Sequence, residues 1–430
     1  MKAFFLLIEL AIPLFLGYII WKKGQLSILY MPVIFFCYAF IDRNLSAAIS
    51  YLIYAVIIGF FIFNNPLFIK RNIFAVILIL YYFFLLPNSR DLAEVRPIFF
   101  GAILVFFFVP LLSEVSRKYS REQLFGALSE SALIVLILFI INVILSTIFR
   151  YMPTGTGYYG TTSGLLYGSL SLDNLNILPF AGYIVVRRGV KDKNLIFLMV
   201  YLVAAFFILL TFRRTVMLLV VLAPMFVMVE LLNFRQFFEF LKYGFIITIV
   251  SSLVIYQTGF LDAFWERYEN RKLDERGLEK EPRLMEFEMI YKDMFVYYDY
   301  SPWFGYELFA SHGNYGKGKL GTRSLHTDFG TIMHASGIIG FTLYLLMVFT
   351  AFYSVWKRTK TREDYLRILF ISMAFVIFFM SGRWHTISSM ALMYGLLYIP
   401  LGKNPKKPPN LNFIKVPSLK LAPNNHVLIK

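Results

Sequence analysis

The sequence predicts an all-α, polytopic membrane protein with about eleven to thirteen transmembrane helices and one large extracytoplasmic loop that contains short helices. Of its 430 residues, 58% are hydrophobic and only 16% are charged, whereas soluble domains are typically about 45–50% apolar. The apolar residues form runs of about 15–25, the length that crosses the hydrocarbon of a bilayer as a helix. Strands are excluded there because their backbone groups would stay unpaired in lipid.

Roughly thirteen apolar runs are predicted as spans, at residues 3–20, 26–41, 45–63, 72–87, 97–113, 131–149, 164–186, 194–211, 215–232, 241–259, 329–353, 366–381 and 386–401. The first run is interpreted as a span, because no small-residue cleavage site of a signal peptide follows it. The run 164–186 has the weakest pattern, since it contains Asp173, Asn174 and Asn176.

These runs divide the chain into four parts. Residues 1–259 form an N-terminal set of transmembrane helices, 260–328 a long polar loop, and 329–401 a C-terminal set of transmembrane helices. Residues 402–430 are basic and proline-rich, and we expect a disordered cytoplasmic tail. Such a tail can contact anionic lipid, although a role in topology alone is the simpler interpretation.

The connectors alternate in basic content. One set is rich in lysine and arginine, for example Lys22–Lys23, Arg117–Arg121 and Lys357–Arg367, and the other set is poor in them. The positive-inside rule assigns the basic-rich set to the cytoplasm. The long loop, Arg213 and Arg214 then lie on the outer face. The formal net charge of +16 is therefore interpreted as a topology signal, and no nucleic-acid partner is expected.

The long loop is not a uniform basic patch, because residues 260–330 hold ten basic and thirteen acidic side chains. Two surface helices are predicted in it, the second beginning at Pro282, where a proline suits the first turn of a helix. The spacing of Leu284, Phe287 and Ile290 or Tyr291 predicts that these residues form the apolar face of the second helix.

Several short motifs resemble the O-antigen ligase/polymerase superfamily. Arg283 opens a loop helix, SPWFGYELF (301–309) resembles its proline-glycine turn, and LHTDFGTIMHASGIIGFTLYLLMV (325–348) resembles its histidine-led final motif. TFRRT (211–215) resembles the Thr-x-Ser-Arg element of an earlier span, and LSLDNLNILPF (170–180) an Asp-Pro-Asn element. Arg213, Tyr306-Glu307 and Thr327 depart from the residues usual in these motifs.

The resemblance implies a membrane glycosyltransferase of the GT-C type in a bacterial cytoplasmic (inner) membrane. Such enzymes transfer a glycan from undecaprenyl diphosphate to an acceptor hydroxyl on the outer face, with inversion and without a metal or other cofactor. Polymerases join repeat units, whereas ligases transfer finished polymer to lipid A-core, and we expect a polymerase. Its partners would be the lipid-linked oligosaccharide, membrane lipid and possible chain-length regulator and flippase proteins.

A diphosphate leaving group needs its developing negative charge stabilised, and the fork of arginine matches phosphate oxygens. Five arginines fall on the predicted outer face and are the candidate diphosphate ligands: Arg213, Arg214, Arg283, Arg323 and Arg383. No Asp-x-Asp pair or histidine/cysteine cluster with metal-ligand spacing occurs in the sequence, so no metal site is predicted.

The resemblance points to His326 as the residue that activates or orients the acceptor. Asp328, two residues later, is the alternative base or a residue that orients His326. Asp173 and Asn174 are expensive to place in lipid and are candidates for a substrate groove. A flippase or transporter of lipid-linked sugars is the alternative from another functional class, but the paired half-repeats typical of transporters are not seen in the sequence.

Overall fold

The structure, a computed structural model, describes residues 2–40, 47–150, 172–209, 211, 213–231, 265, 282–319, 321, 323–382 and 386–403. Within these residues lie thirteen α-helices with both ends described, and no β-strand. In chain order they are α1 (Lys2–Lys23), α2 (Met31–Phe40), α3 (Ala47–Asn64), α4 (Ile73–Leu85), α5 (Leu92–Ser116), α6 (Arg121–Ile148), α7 (Leu178–Asp192), α8 (Leu195–Leu209), α9 (Arg214–Leu231), α10 (Pro282–Phe295), α11 (Asp328–Trp356), α12 (Arg362–Ser381) and α13 (Ile387–Leu397).

Five of the described helices are long and apolar enough to cross a membrane by length and composition. They are Val95–Ser116 within α5, α6, α9, α11 and α12. Shorter apolar helices, including α8 and α13, accompany them. The chain is therefore an all-α, multi-pass membrane protein. The predicted span 241–259, the start of span 164–186, most of residues 260–281 and the tail after Lys403 lie outside the described residues.

Two predicted spans are not single α-helices. The run 26–41 consists of a 3₁₀ segment, Gly24–Tyr30, followed by the ten-residue α2. The run 386–401 consists of the eleven-residue α13 and a short 3₁₀ turn. Every residue of α13 from Ser388 to Leu397 is buried. Hydropathy cannot distinguish such a segment from a span, because apolar side chains face protein in one case and lipid in the other.

Six charged side chains join α6, α7, α9 and α12 at one end of the bundle. This ion network contains three cations and three anions: Arg121, Arg187, Arg367, Glu230, Glu363 and Asp364. Asp364 lies 2.9 Å from Arg121 Nη1 and 3.1 Å from Arg367 Nη1. Glu230 pairs with Arg187 and lies 3.7 Å from Arg367 Nη2. Arg187, Glu230, Asp364 and Arg367 are almost fully buried, and the balance of charges in the network offsets the cost of burying them between helices.

The contacts separate the connectors into two groups. At the end with the ion network, which we call the network end, Lys23 pairs with Glu130 at 3.1 Å and Lys118 Nζ donates to Asn65 at 2.7 Å. At the opposite end, the loop end, the backbone N–H of Arg90 donates to Glu307 in the long loop. The basic-rich connectors thus meet one another, and a basic-poor connector meets the long loop. Which compartment each end faces stays a prediction.

Helix α11 breaks at Gly337, which adopts φ 63° and ψ −165°. The break frees backbone groups that would otherwise pair inside the helix, and a turn formed by residues 301–306 pairs with them. Ile338 N–H donates to the Pro302 carbonyl at 2.9 Å, and Tyr306 N–H donates to the His334 carbonyl at 2.7 Å. This contact joins the two motifs SPWFG and HASGIIG, and it places the long loop against the bundle.

The closeness of this contact requires glycine. A Cβ atom on Gly337 would lie 2.3 Å from the carbonyl of Trp303, which is backbone and cannot rotate away. A positive φ combined with an extended ψ is also essentially restricted to glycine. From α4, the Tyr81 hydroxyl donates to the Ser336 carbonyl at 2.9 Å beside the break. The break is therefore held from both sides.

Helix α10 begins at Pro282, where the sequence predicts a helix start, but only part of its predicted apolar face is buried. Ile290 is buried and Phe287 packs against Phe329, whereas Leu284 and Tyr291 are exposed. The buried face also carries Met289 and Met294 together with two carboxylates, Glu286 and Asp293. Its apolar residues pack with Tyr300, Tyr315, Leu325 and Met333 in a small second core. An apolar pattern does not predict this face, because it includes the acidic residues Glu286 and Asp293, whose hydrogen-bond partners lie elsewhere in the loop.

We predict that Gly337→Ala destabilises the protein by about 3 kcal/mol or more, because the variant needs both a strained φ and a displaced Trp303 carbonyl. Thermal unfolding of the purified protein in detergent measures the change. Gly126→Ala in α6 is the matched control, since a Cβ there meets no atom within 4 Å. A similar melting temperature for both variants would contradict this account of the break.

We also predict that Glu230→Gln lowers the free energy of unfolding by about 3–5 kcal/mol, because it leaves buried arginine charge uncompensated. The control is Asp192→Asn, which removes the partly exposed i,i+4 pair of Arg188 and Asp192 and should cost less than about 1 kcal/mol. Equal losses of thermal stability in the two variants would show that the network does not stabilise the bundle.

Candidate functional site

Glu286 is the residue around which the described part of the long loop is organised. Its side chain is fully buried on the inner face of α10. One carboxylate oxygen accepts a hydrogen bond from the backbone N–H of His326 at 2.9 Å. The other accepts from Nε of Arg323 at 3.1 Å and lies 3.6 Å from Nδ1 of His326. Glu286 therefore fixes the segment 323–326, which leads into α11.

The imidazole of His326 is held in one orientation. Its Nδ1 lies 2.5 Å from the carbonyl oxygen of Ser324. Because a carbonyl can only accept, Nδ1 carries the hydrogen, and in the neutral ring Nε2 is then the basic nitrogen. About 37% of the side chain is exposed, so solutes can reach the ring. The geometry thus suits His326 to accept a proton at Nε2.

The segment after α12 also contacts His326. Gly382 adopts φ 73° and approaches so closely that a Cβ there would lie 2.2 Å from the His326 carbonyl oxygen. Arg383, a predicted phosphate ligand, is the next residue, but it lies outside the described residues. The contact places the C-terminal end of α12 directly beside the start of α11.

Asp328 differs from His326 in its access to solvent. Thr327 caps α11 by accepting a hydrogen bond from Gly330 N–H at 3.1 Å, and Asp328 follows as the first helical residue. Only 2% of Asp328 is exposed. Between the two candidate bases, His326 is therefore the accessible one. The carboxylate that contacts His326 is Glu286, which the sequence argument did not identify.

The remaining predicted loop arginines surround Glu286. Arg323 forms the ion pair described above and keeps about 31% of its side chain exposed. Arg283, one helical turn before Glu286, is half-buried and interacts with it electrostatically. Both arginines thus lie within one small loop unit with His326.

The pKa of the Glu286 carboxyl is raised, because burial penalises its charged form. The His326 N–H and the charges of Arg323 and Arg283 oppose this effect. Asp293, on the same face of α10, has a raised pKa for the same first reason, and its carboxylate accepts from Gly316 N–H at 2.6 Å. Each buried carboxylate accepts a hydrogen bond from a backbone N–H of another loop segment, and such bonds hold that segment in position.

Arg213 and Arg214 lie at the loop end. Helix α9 begins at Arg214, which is exposed, and reaches the ion network at Glu230. Sixteen residues of helix separate these two charges by about 24 Å. Helix α12 runs the opposite way, from Asp364 in the network to Gly382 beside His326. Arg214 and His326 are therefore at the same end of the bundle, and half-buried Arg213 immediately precedes α9.

The predicted groove residues fall on a 3₁₀ segment, Leu172–Ile177, that leads into α7. Asn174 is half-buried, and the side chain of Asp173 lies outside the described set. Asn176, next to them, is 1% exposed, and neither its amide nitrogen nor its oxygen has a hydrogen-bond partner among the described residues. A buried amide without partners is rare, which makes Asn176 a better groove candidate than the sequence indicated.

Two further histidines have structural contacts. His312 is exposed and lies with Nδ1 3.3 Å from the Ser324 hydroxyl. His334 is buried among the rings of Tyr300, Tyr306 and Tyr315, and its Nε2 donates to the Asn314 carbonyl at 3.1 Å. His312 is thus accessible too, but its hydroxyl partner can donate or accept and does not fix the tautomer as the Ser324 carbonyl does for His326, whereas His334 is buried.

The raised pKa of Glu286 predicts how the stability of the fold depends on pH. The folded protein binds this proton more tightly than the unfolded chain, whose carboxyl has the ordinary pKa of 4.5. The stability linked to this proton is therefore present below pH 4.5 and is lost as pH rises through the raised pKa of the folded state. We predict that the melting temperature of the wild type relative to Glu286→Gln falls as pH rises from about 4.5 to 7. A relative gain over that window would contradict the assignment.

No protein-family model matches the chain, and no curated protein is significantly similar to it. The resemblance to the O-antigen ligase/polymerase superfamily consequently stays a prediction drawn from short motifs.

Proposed function

We propose that the chain is a polymerase that joins undecaprenyl-diphosphate-linked repeat units of O-antigen or another surface polysaccharide. The observation that carries the proposal is His326: its Nδ1 is bound by a carbonyl, its backbone by Glu286, and its ring is accessible at the same end of the bundle as Arg214. A phosphate-binding cation and an oriented base on one surface are the two elements that glycosyl transfer from a diphosphate requires.

The proposed reaction is a single displacement. The acceptor hydroxyl oxygen attacks the anomeric carbon of the donor, and the bond from that carbon to the diphosphate oxygen breaks, with its electron pair leaving on the diphosphate. Attack from the side opposite the leaving group inverts the anomeric configuration. The hydroxyl proton passes to Nε2 of His326, and the released undecaprenyl diphosphate keeps the carrier lipid.

Each charged residue has a separate role in this proposal. Arg214 binds the diphosphate and stabilises its developing charge, with Arg213 and Arg383 as further candidate ligands. Arg323 pairs with Glu286 and Arg283 interacts with it electrostatically, so their first role is to hold the loop, and both can still bind phosphate. Glu286 is a positioning residue, because it acts through His326 and Arg323.

The proposal includes the location and the finer topology. The protein would have eleven to thirteen spans in a bacterial inner membrane, with the loop end on the periplasmic face, where repeat units are presented. Asn174 and Asn176 would line the groove for carrier or glycan. Membrane lipid, a chain-length regulator and a flippase for the donor are the expected partners.

We predict that cells expressing Arg214→Ala or His326→Ala at normal levels accumulate single repeat units and lose long polymer. Loss of a general base alone reduces a rate about 10²–10⁴-fold. Gel electrophoresis of the surface polysaccharide measures the chain-length distribution. The matched controls are His312→Ala, another exposed loop histidine, and Arg188→Ala at the network end, and both should keep the wild-type ladder.

An unchanged ladder in His326→Ala would contradict the catalytic assignment. Polymer that forms but stays on the carrier, uncapped on lipid A-core, would identify the protein as the ligase instead. Failure of repeat units to reach the outer face would identify a flippase. Membrane abundance of each variant, measured by immunoblot, separates loss of function from loss of folding.

A further inference from the structure

A basic cavity lies at the network end, opposite the proposed reaction site. Its volume is about 440 Å³, and it opens between the connector after α5, the connector after α11 and the chain that follows α13. Six of the nine residues that line it carry a positive charge: Arg71, Arg117, Arg121, Arg358, Lys360 and Lys403. Lining carboxylates are absent from the described part of this cavity.

Most of this charge is not compensated. Arg71 pairs with Glu114, and Arg121 with Asp364. The other four cations form no side-chain hydrogen bond or ion pair with any described residue: Arg117, Arg358, Lys360 and Lys403. Of the six cations, two are neutralised by a paired carboxylate, so four uncompensated positive charges surround the cavity.

Arg117 shows that the charges repel one another. Its Nε is inaccessible to solvent and has no hydrogen-bond partner in the part of the chain that the structure describes. The pKa of its guanidinium is lowered by burial and by the neighbouring charges of Arg71 and Arg358. Cations that serve only as topology signals project into water or headgroups, whereas this one is turned inward.

The backbone holds the cavity wall in place. Lys403 N–H donates to the Tyr119 carbonyl at 2.9 Å, and Arg121 N–H donates to the Lys403 carbonyl at 3.2 Å. Gly402 allows this approach, because a Cβ there would lie 2.8 Å from Leu124 and 3.0 Å from Arg121 N. In addition, Arg121 Nη2 donates to the Pro400 carbonyl at 3.0 Å. The six cations converge from four segments of the chain, namely 66–71, 117–121, 358–360 and 400–403.

We propose that this cavity is a binding site for a phosphate-bearing anion with one or more phosphate groups. Guanidinium groups match phosphate oxygens in geometry and charge, and bound phosphate would relieve the repulsion among the four uncompensated cations. The volume falls in the range of small-molecule sites. The ligand is either the headgroup of an anionic lipid, as basic pockets between membrane helices bind, or a soluble phosphate compound.

The test uses the full-length protein purified in a neutral detergent. Binding of inorganic pyrophosphate and of short-chain phosphatidylglycerol is measured by calorimetry, with phosphatidylcholine as the neutral lipid. In the pocket variant Arg117→Gln/Arg358→Gln, we expect affinity for at least one anionic probe to fall by about tenfold or more. The matched control is Lys357→Gln/Arg362→Gln, which removes two exposed charges from the same end outside the cavity and should leave affinity within about twofold.

Each outcome decides the proposal. Pocket-dependent binding of pyrophosphate identifies a soluble phosphate ligand, and pocket-dependent binding of phosphatidylglycerol alone identifies a lipid headgroup; both support the site. No binding of either anion by the wild type, or equal losses in the pocket and control variants, overturns it. If the pocket variant does not melt cooperatively, Lys360→Gln/Lys403→Gln replaces it, since both of these lysines are exposed.

Discussion

The backbone hydrogen bonds around Gly337 hold the long loop to the membrane bundle. A continuous α11 would pair these groups internally and would leave the turn 301–306 without a partner. The break exposes amides and carbonyls inside a packed structure, where an unpaired backbone group costs about as much as a lost hydrogen bond. The turn and the Tyr81 hydroxyl satisfy them. The positions of α10, Glu286 and His326 depend on this contact, because the loop residues between them pack on the first half of α11.

Charged side chains are paired differently at the two ends of the bundle. At the network end, arginines and carboxylates neutralise one another between helices, and the surplus cations surround a cavity. At the loop end, the candidate arginines lie near an accessible histidine, and the carboxylate that pairs with one of them is fully buried. Buried charge is costly unless it is paired. A surplus of positive charge at an ordered site therefore indicates an anionic ligand, and this argument carries the proposal for the cavity at the network end.

Much of the fold could be predicted from the sequence, because apolar length and basic asymmetry determine which segments span and which connectors share a side. The helices α6, α9, α11 and α12 begin or end close to the predicted spans, and α10 begins at Pro282. The burial of α13 could not be predicted, since an apolar face looks the same against lipid and against protein. The break at Gly337 was also missed, because the residue that causes it acts only together with a turn more than thirty residues earlier.

The candidate site was predicted in part. His326 and the loop arginines were found through short motifs, but Glu286 was not, although it lies three residues after Arg283. The charge of a glutamate among many in a charged loop does not by itself mark it as buried. Its role comes from Arg323 and the His326 backbone, which are distant in sequence. Glu286, Met289, Ile290 and Asp293 are spaced so that they share one face of a helix. A search for faces that mix apolar and acidic residues could therefore have identified Glu286.

The most direct test of the central claim is an experimental structure of the protein with undecaprenyl diphosphate bound. The account predicts diphosphate density at the loop end, with an oxygen about 3 Å from the Arg214 guanidinium, and space for an acceptor between the phosphate and Nε2 of His326. Diphosphate bound only at the network end, or bound at the loop end away from both Arg214 and His326, would contradict it.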